Sequence, residues 1–138
     1  MNWEKKAIAY LRSYESLRAA CSNLPLQLKR LRNRIYRARN GERQQEQLLE
    51  DLELARKLRQ NLEQSRSWLN MIDRALEKLP HREQLVLNRM YIFPESGGVE
   101  RACLDLGVER ATVYRYRQLA LRRFTAALFG SAESAPQT

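Results

Sequence analysis

The stretch Val99–Tyr116, VERACLDLGVERATVYRY, decides how the second half of this chain folds. Ala102 and Cys103 are small, so a first short helix can approach a second one closely. Gly107 stands where the chain must turn sharply, because a residue without a Cβ tolerates positive φ best. Glu109 follows at a helix start, where the helix dipole favours a carboxylate that can cap free N–H groups. The spacing predicts two helices joined by a tight turn, a helix-turn-helix.

Helical geometry gives the second of these helices two opposite faces. One is an apolar wedge of Val113, Tyr116 and Ala120, and the other carries polar and small side chains that suit base edges in the major groove. Arginine contacts guanine, glutamine pairs with adenine and alanine fits a thymine methyl. Residues at the helix start suit phosphate, and Arg101 and Arg123 are expected to add backbone contacts. The predicted duplex-DNA interface comprises Arg110, Ala111, Thr112, Tyr114, Arg115, Gln118 and Arg122.

Upstream, apolar residues at steps of three and four predict two long helices that meet at Asn40-Gly41. Pro25 marks either the start of another helix or a kink. The apolar stripes suit an antiparallel hairpin, Trp3–Arg39 against Glu42–Leu79, and they equally suit a coiled-coil homodimer. The expected fold is all-α: a helical hairpin or coiled coil over 1–79, a helix-turn-helix domain over 80–129 and a flexible tail over 130–138.

The charge of the chain favours a polyanionic partner, with double-stranded DNA first. Its 138 residues include 25 Lys and Arg against 16 Asp and Glu, a net charge of +9. Six basic residues lie between Lys29 and Arg39. This segment suits DNA phosphate or an acidic protein, but it also suits a solvated face that pairs with acids of the next helix.

Several classes of function are excluded. No stretch approaches the ~20 apolar residues of a membrane helix, and no signal peptide is recognisable, so we expect a cytoplasmic protein without a membrane partner. His81 is the only histidine, and Cys21 and Cys103 lack the spacing of a zinc site, so no metal or cofactor is expected. No nucleophile motif, paired carboxylates or phosphate-binding loop occurs, and the chain is not expected to be an enzyme.

Two segments carry a family resemblance. ALEKLPHREQLVLNRMYI and the later ACLDLGVERATVYRYRQLALRRF resemble region 4 of bacterial sigma-70-type factors, through Leu79-Pro80, Arg82-Glu83, Val86-Leu87 and the run Ala120–Arg123. The sigma region that melts promoters has no counterpart here. With its helical N-terminal half, the chain looks more like phage late-gene regulators of the RinA and ArpU kind.

That resemblance implies a sequence-specific transcriptional regulator of phage or prophage late genes, acting near a promoter and contacting RNA polymerase. Carried over by position, Arg110, Ala111, Thr112, Tyr114 and Arg115 would read DNA. An alternative is a DNA-packaging recognition subunit like phage small terminases, which also join a helix-turn-helix to helical oligomerisation segments. The number of subunits in the assembly separates these two functions.

Overall fold

A computed structural model describes residues 1–39 and 45–130, with Ala38 and Arg39 described by their backbone alone. These residues contain six α-helices, one π-helical turn and no strand, which confirms the all-α prediction. The helices are α1 (Trp3–Arg12), α2 (Tyr14–Arg39), α3 (Gln45–Glu77), α4 (His81–Leu87), α5 (Gly98–Leu106) and α6 (Arg110–Phe129); the π turn is Asn88–Ile92. The predicted Asn40-Gly41 turn and the predicted tail beyond Gly130 lie outside the described residues.

The first long helix breaks at Ser13 and not at Pro25, which lies inside α2. The Ser13 hydroxyl donates to the Tyr10 carbonyl at 2.7 Å, and the Ser13 N–H also points to the Ala9 and Tyr10 carbonyls. In an unbroken helix the Tyr10 carbonyl would accept from Tyr14, so the serine competes with the helical hydrogen bond. Of the two alternatives for Pro25, the start of another helix is therefore wrong, because α2 begins at Tyr14 and continues through the proline.

The chain divides into two compact units, and their limits differ from the expected 1–79 and 80–129 segments. Unit 1 combines residues 1–15 with those from Asn70 onward, and unit 2 is Ser16–Leu69. Aromatic packing accounts for the place of α1 in unit 1: the rings of Trp3 and Tyr10 lie 5.0 and 5.9 Å from that of Phe129 on α6. Helix α1 therefore belongs structurally with the C-terminal helices.

Unit 2 contains an antiparallel helix pair, formed by residues 16–39 of α2 and residues 45–69 of α3. Arg34, late in α2, is ion-paired with Asp51, early in α3, at 2.9 Å, while Leu17 and Trp68 line one small pocket at the other end. The seam buries apolar side chains seven residues apart on each helix, namely Leu24 and Leu31 on α2 and Ala55 and Leu62 on α3. Within one chain, this is the arrangement of a helical hairpin.

In unit 1, α6 packs against α1, α4 and α5. One part of this core is a cluster of the buried residues Val86, Ala102 and Val113, which joins α4, α5 and α6. Leu106, Val108 and Tyr116 pack around it, and Tyr116 is a residue of the predicted apolar wedge. None of the helices in residues 1–39 and 45–130 combines the length and the apolar character needed to cross a membrane.

Candidate nucleic-acid interface

The turn between α5 and α6 is built on Gly107, which adopts φ +66° and ψ +38°. A side chain in this left-handed region is strained, which explains the glycine. The Val108 N–H then bonds to the Cys103 carbonyl at 3.1 Å and closes α5. Glu109 occupies the cap position of α6, but its carboxylate makes no capping hydrogen bond, contrary to the sequence interpretation. The first turn of α6 therefore has no side-chain cap.

The link into α5 depends on a second glycine. A Cβ built on Gly98 would lie 2.6 Å from the Arg89 carbonyl oxygen of the π turn. The π turn itself closes with a hydrogen bond from the Phe93 N–H to the Asn88 carbonyl at 2.9 Å. This close approach of backbones fixes where α5 begins, and half-buried Val99 then packs against the Val86 cluster.

Helix α6 is embedded unevenly along its length. Of its residues 110–119, only Val113 is buried, whereas residues 120–129 bury Ala120, Leu121, Phe124 and Thr125. The N-terminal half therefore offers a broad exposed surface, and the C-terminal half anchors the helix in unit 1. A helix held in this way has a fixed backbone position, from which its exposed side chains project.

Most residues predicted to bind DNA lie on that exposed surface. Six are exposed, and Thr112 is half-buried, with its hydroxyl accepting from the Arg115 guanidinium at 3.1 Å. The steps of four and three from 111 to 122 align four of them along one side of α6. We name this line the reading face; it consists of Ala111, Arg115, Gln118 and Arg122.

The arginines of α6 differ in how far their charge is neutralised. Arg110 is ion-paired with Glu100 and also bonds to the Tyr114 hydroxyl. The carboxylate of Glu100 raises the pKa of Arg110 further, and the pKa of Glu100 is lowered by its own backbone N–H and then by Arg110. Arg115 and Arg122 have no carboxylate partner within the described ranges. Their positive charges remain available to an anion.

Arg123 forms an ion pair within unit 1. Its guanidinium donates to Glu83 Oε2 at 2.6 Å, and Glu83 is fully buried while the Arg123 side chain is 49% exposed. The pair ties α4 to α6, and the expected contact of Arg123 with the DNA backbone stays a prediction. Sequence spacing could not indicate this pair, because its members lie 40 residues apart on different helices.

A second basic feature escaped the sequence interpretation. Arg117 Nε donates to the Tyr91 hydroxyl at 2.6 Å, and the guanidinium groups of Arg12 and Arg117 lie 5.7 and 5.8 Å from the centre of the Tyr91 ring. These three residues come from α1, the π turn and α6. Only the packing of α1 against α6 brings them together, so no local motif could have revealed the cluster.

Within the part of the chain that the structure describes, the basic segment between Lys29 and Arg39 contains one arginine with an acidic partner. Arg34 pairs with an acid of the next helix, as the alternative of a solvated face expects, whereas Lys29, Arg30, Arg32 and Arg37 are exposed. Among the described residues, no three histidine, cysteine or acidic side chains cluster in a way that could hold a metal ion. Cys21 and Cys103 are free, half-buried thiols.

Comparison with protein-family models, with curated proteins and with solved structures gave no match to this chain.

Proposed function

We propose that this chain is a sequence-specific duplex-DNA-binding transcriptional regulator, with α6 as the helix that enters the major groove. The observation that carries the proposal is the reading face. It presents Arg115 and Gln118 on the less embedded half of α6 and the exposed Arg122 one turn further on, and neither arginine has a carboxylate partner among the described residues. A surface of this kind combines electrostatic attraction to phosphate with donors that discriminate bases.

The dimensions and chemistry of the face suit a major groove. B-DNA admits an α-helix there, since the groove is ~12 Å wide. Arg115 supplies two donors for guanine O6 and N7, Gln118 supplies a donor and an acceptor for adenine, and Ala111 leaves room for a thymine methyl. Arg110 is the weaker candidate for a base or phosphate contact, because Glu100 competes for its guanidinium.

The resemblance to sigma region 4 and to phage late-gene regulators adds the biological setting. It supports a site near a promoter, with phage or prophage late genes as targets and RNA polymerase as a further partner. In this proposal α4, the π turn and α5 support the reading helix, because they form the apolar cluster against which Val113 packs.

Selection of binding sites from random duplex DNA tests the proposal. We expect an enriched sequence, and we expect Arg115→Ala to weaken binding to it by ~1–3 kcal/mol and to relax the preference at one base pair. Arg74→Ala is the matched control, since Arg74 is an exposed arginine of α3 in unit 1, away from α6 in sequence. No enriched sequence, or an Arg115→Ala variant with unchanged affinity and preference, would contradict the proposal.

Subunit number separates this function from the packaging alternative. Exposed apolar side chains on unit 2, including Tyr36 at 67% and Leu49 at 59%, favour self-association through the hairpin. Charge complementarity supports a second copy as the occupant, because exposed Arg30 and Arg37 lie on α2 and exposed Glu46 and Glu50 lie on α3. In a mass measurement in solution, a monomer or dimer would favour a regulator, and a ring of eight or more subunits would favour packaging.

A further inference from the structure

An open cleft of about 700 Å³ lies between α1, the π turn and α6, within unit 1. Lys5 and Arg12 line it from α1, Tyr91 from the π turn and Arg117 from α6. Glu4 is the one carboxylate in the lining, and neither Arg12 nor Arg117 forms an ion pair in residues 1–39 and 45–130. The cleft therefore holds three cations and one acid.

Arg12 and Arg117 are positioned by Tyr91, and neither is neutralised by a carboxylate among the described residues. Both guanidinium groups lie against the Tyr91 ring, and Arg117 is fixed further by its hydrogen bond to the Tyr91 hydroxyl. Each guanidinium has five N–H donors in a planar fork, and a ring contact leaves most of them free. Two such groups around one cleft suit a phosphate, which accepts several hydrogen bonds and offsets their mutual repulsion.

The position of Arg117 on α6 connects the cleft to the reading face. Arg110, Tyr114 and Arg117 follow one another at steps of four and three, so they form a ridge along one side of the helix. Ala111, Arg115, Gln118 and Arg122 lie beside that ridge. When a helix occupies a major groove, the phosphates of the two strands flank it on either side.

We propose that the cleft between Arg12, Tyr91 and Arg117 binds a phosphodiester of the duplex whose major groove receives α6. This inference rests on the proposed function and adds α1 to the DNA-binding surface. The ligand chemistry is a phosphate, and its source is the DNA backbone. Since Arg12 is an exposed residue in the last turn of α1, its contribution can be altered with little effect on the core.

The first test measures duplex affinity of the full chain at several salt concentrations. Each phosphate contact contributes about 0.9 to the slope of log affinity against log salt. Arg12→Gln should lower that slope by about one and weaken the selected site and an unrelated duplex alike, whereas Arg12→Lys should keep most of the slope. Arg74→Gln, which removes the same charge from α3, is the matched control and should change the slope by less than half as much.

The second test follows the arginine Nε–H resonances by NMR during titration with a duplex or with inorganic phosphate. A shift of the Arg117 signal at equimolar duplex, with inorganic phosphate acting only at much higher concentration, supports the inference. Shifts with inorganic phosphate alone would overturn the duplex as the source.

The two proposals fail in different ways. If Arg115→Ala relaxes base preference while Arg12→Gln leaves the salt slope at the value of Arg74→Gln, the cleft assignment is wrong and the proposed function stands. If the unaltered chain binds no duplex at low salt, both are wrong.

Discussion

Replacing Arg123 with alanine leaves the buried Glu83 carboxylate without its cation. The two groups meet at 2.6 Å, Glu83 is fully buried, and its second oxygen, Oε1, has no hydrogen-bond partner among the described residues. Removing one member of a buried ion pair costs ~3–5 kcal/mol. Because the Arg123 side chain is half exposed and water screens it, we expect a smaller loss, about 2–3 kcal/mol of unfolding free energy.

The neighbouring residue offers a matched control. Arg122 is exposed on the same helix and has no ion-pair partner in the described ranges, so Arg122→Ala removes the same side chain at a cost of less than about 0.5 kcal/mol. For a chain of 138 residues, 1 kcal/mol corresponds to a shift in Tm of roughly 3–5 °C. Arg123→Ala should therefore lower Tm by about 6–15 °C, and Arg122→Ala by about 2 °C or less.

The measurement should report unit 1 alone. The chain has two tryptophans, Trp3 in unit 1 and Trp68 in unit 2, and the Trp3 ring lies 5.0 Å from that of Phe129 on α6. In a Trp68→Phe background, thermal unfolding followed by Trp3 fluorescence reports loss of the contact between α1 and α6. Adding Glu83→Leu to Arg123→Ala removes the unpaired charge and should recover more than half of the lost stability.

Equal Tm values for Arg123→Ala and Arg122→Ala would refute the argument from the buried charge. At temperatures below both unfolding transitions, Arg122→Ala should reduce DNA affinity more than Arg123→Ala does. Arg122→Ala should weaken binding to the selected site, because Arg122 lies on the reading face, while folded Arg123→Ala should keep its base preference.

Two further predictions concern the start of α5. Gly98→Ala gains about 1 kcal/mol in helix propensity, but its Cβ would clash with the Arg89 carbonyl at 2.6 Å, so we expect a lower urea midpoint; an increase would contradict the contact. Glu100 should titrate below its ordinary pKa of 4.5 in NMR, because its own backbone N–H and then Arg110 lower that pKa. The ionised Glu100 carboxylate therefore stabilises the fold above pH 4.5, and this contribution is lost as the pH falls through the lowered pKa. Arg110→Ala should move the titration midpoint of Glu100 part of the way back toward 4.5. An unchanged midpoint would contradict the role of Arg110.

Local sequence was sufficient to place the two C-terminal helices. The stretch Val99–Tyr116 was expected to form two helices joined by a turn at Gly107, and α5 and α6 are these two helices. The wedge around Val113 is buried, and the side opposite it is exposed. Helix limits and faces follow from turn glycines and from a period of 3.6 residues, both of which a single sequence displays.

The partners of those faces could not be predicted in the same way. The apolar stripe of α1 runs in phase with that of α2, which favoured one long helix, yet α1 packs against α6. A periodic stripe indicates that a face is apolar and leaves open which element covers it. The Arg123–Glu83 pair and the cluster around Tyr91 likewise join residues far apart in the sequence. The sequence of α6 alone does not distinguish Arg123 from other exposed arginines.

The contact between Trp3 and Phe129 also has a consequence for the order of events during synthesis. Translation adds roughly 5–20 residues per second, so Phe129 is made about 6–25 s after Trp3. During that time α1 lacks its contact with α6, although Ala7 and Leu11 on its apolar side are fully buried in the folded protein. The apolar side of α1 is therefore incompletely covered in the nascent chain, and the core of unit 1 is completed only when α6 has been made.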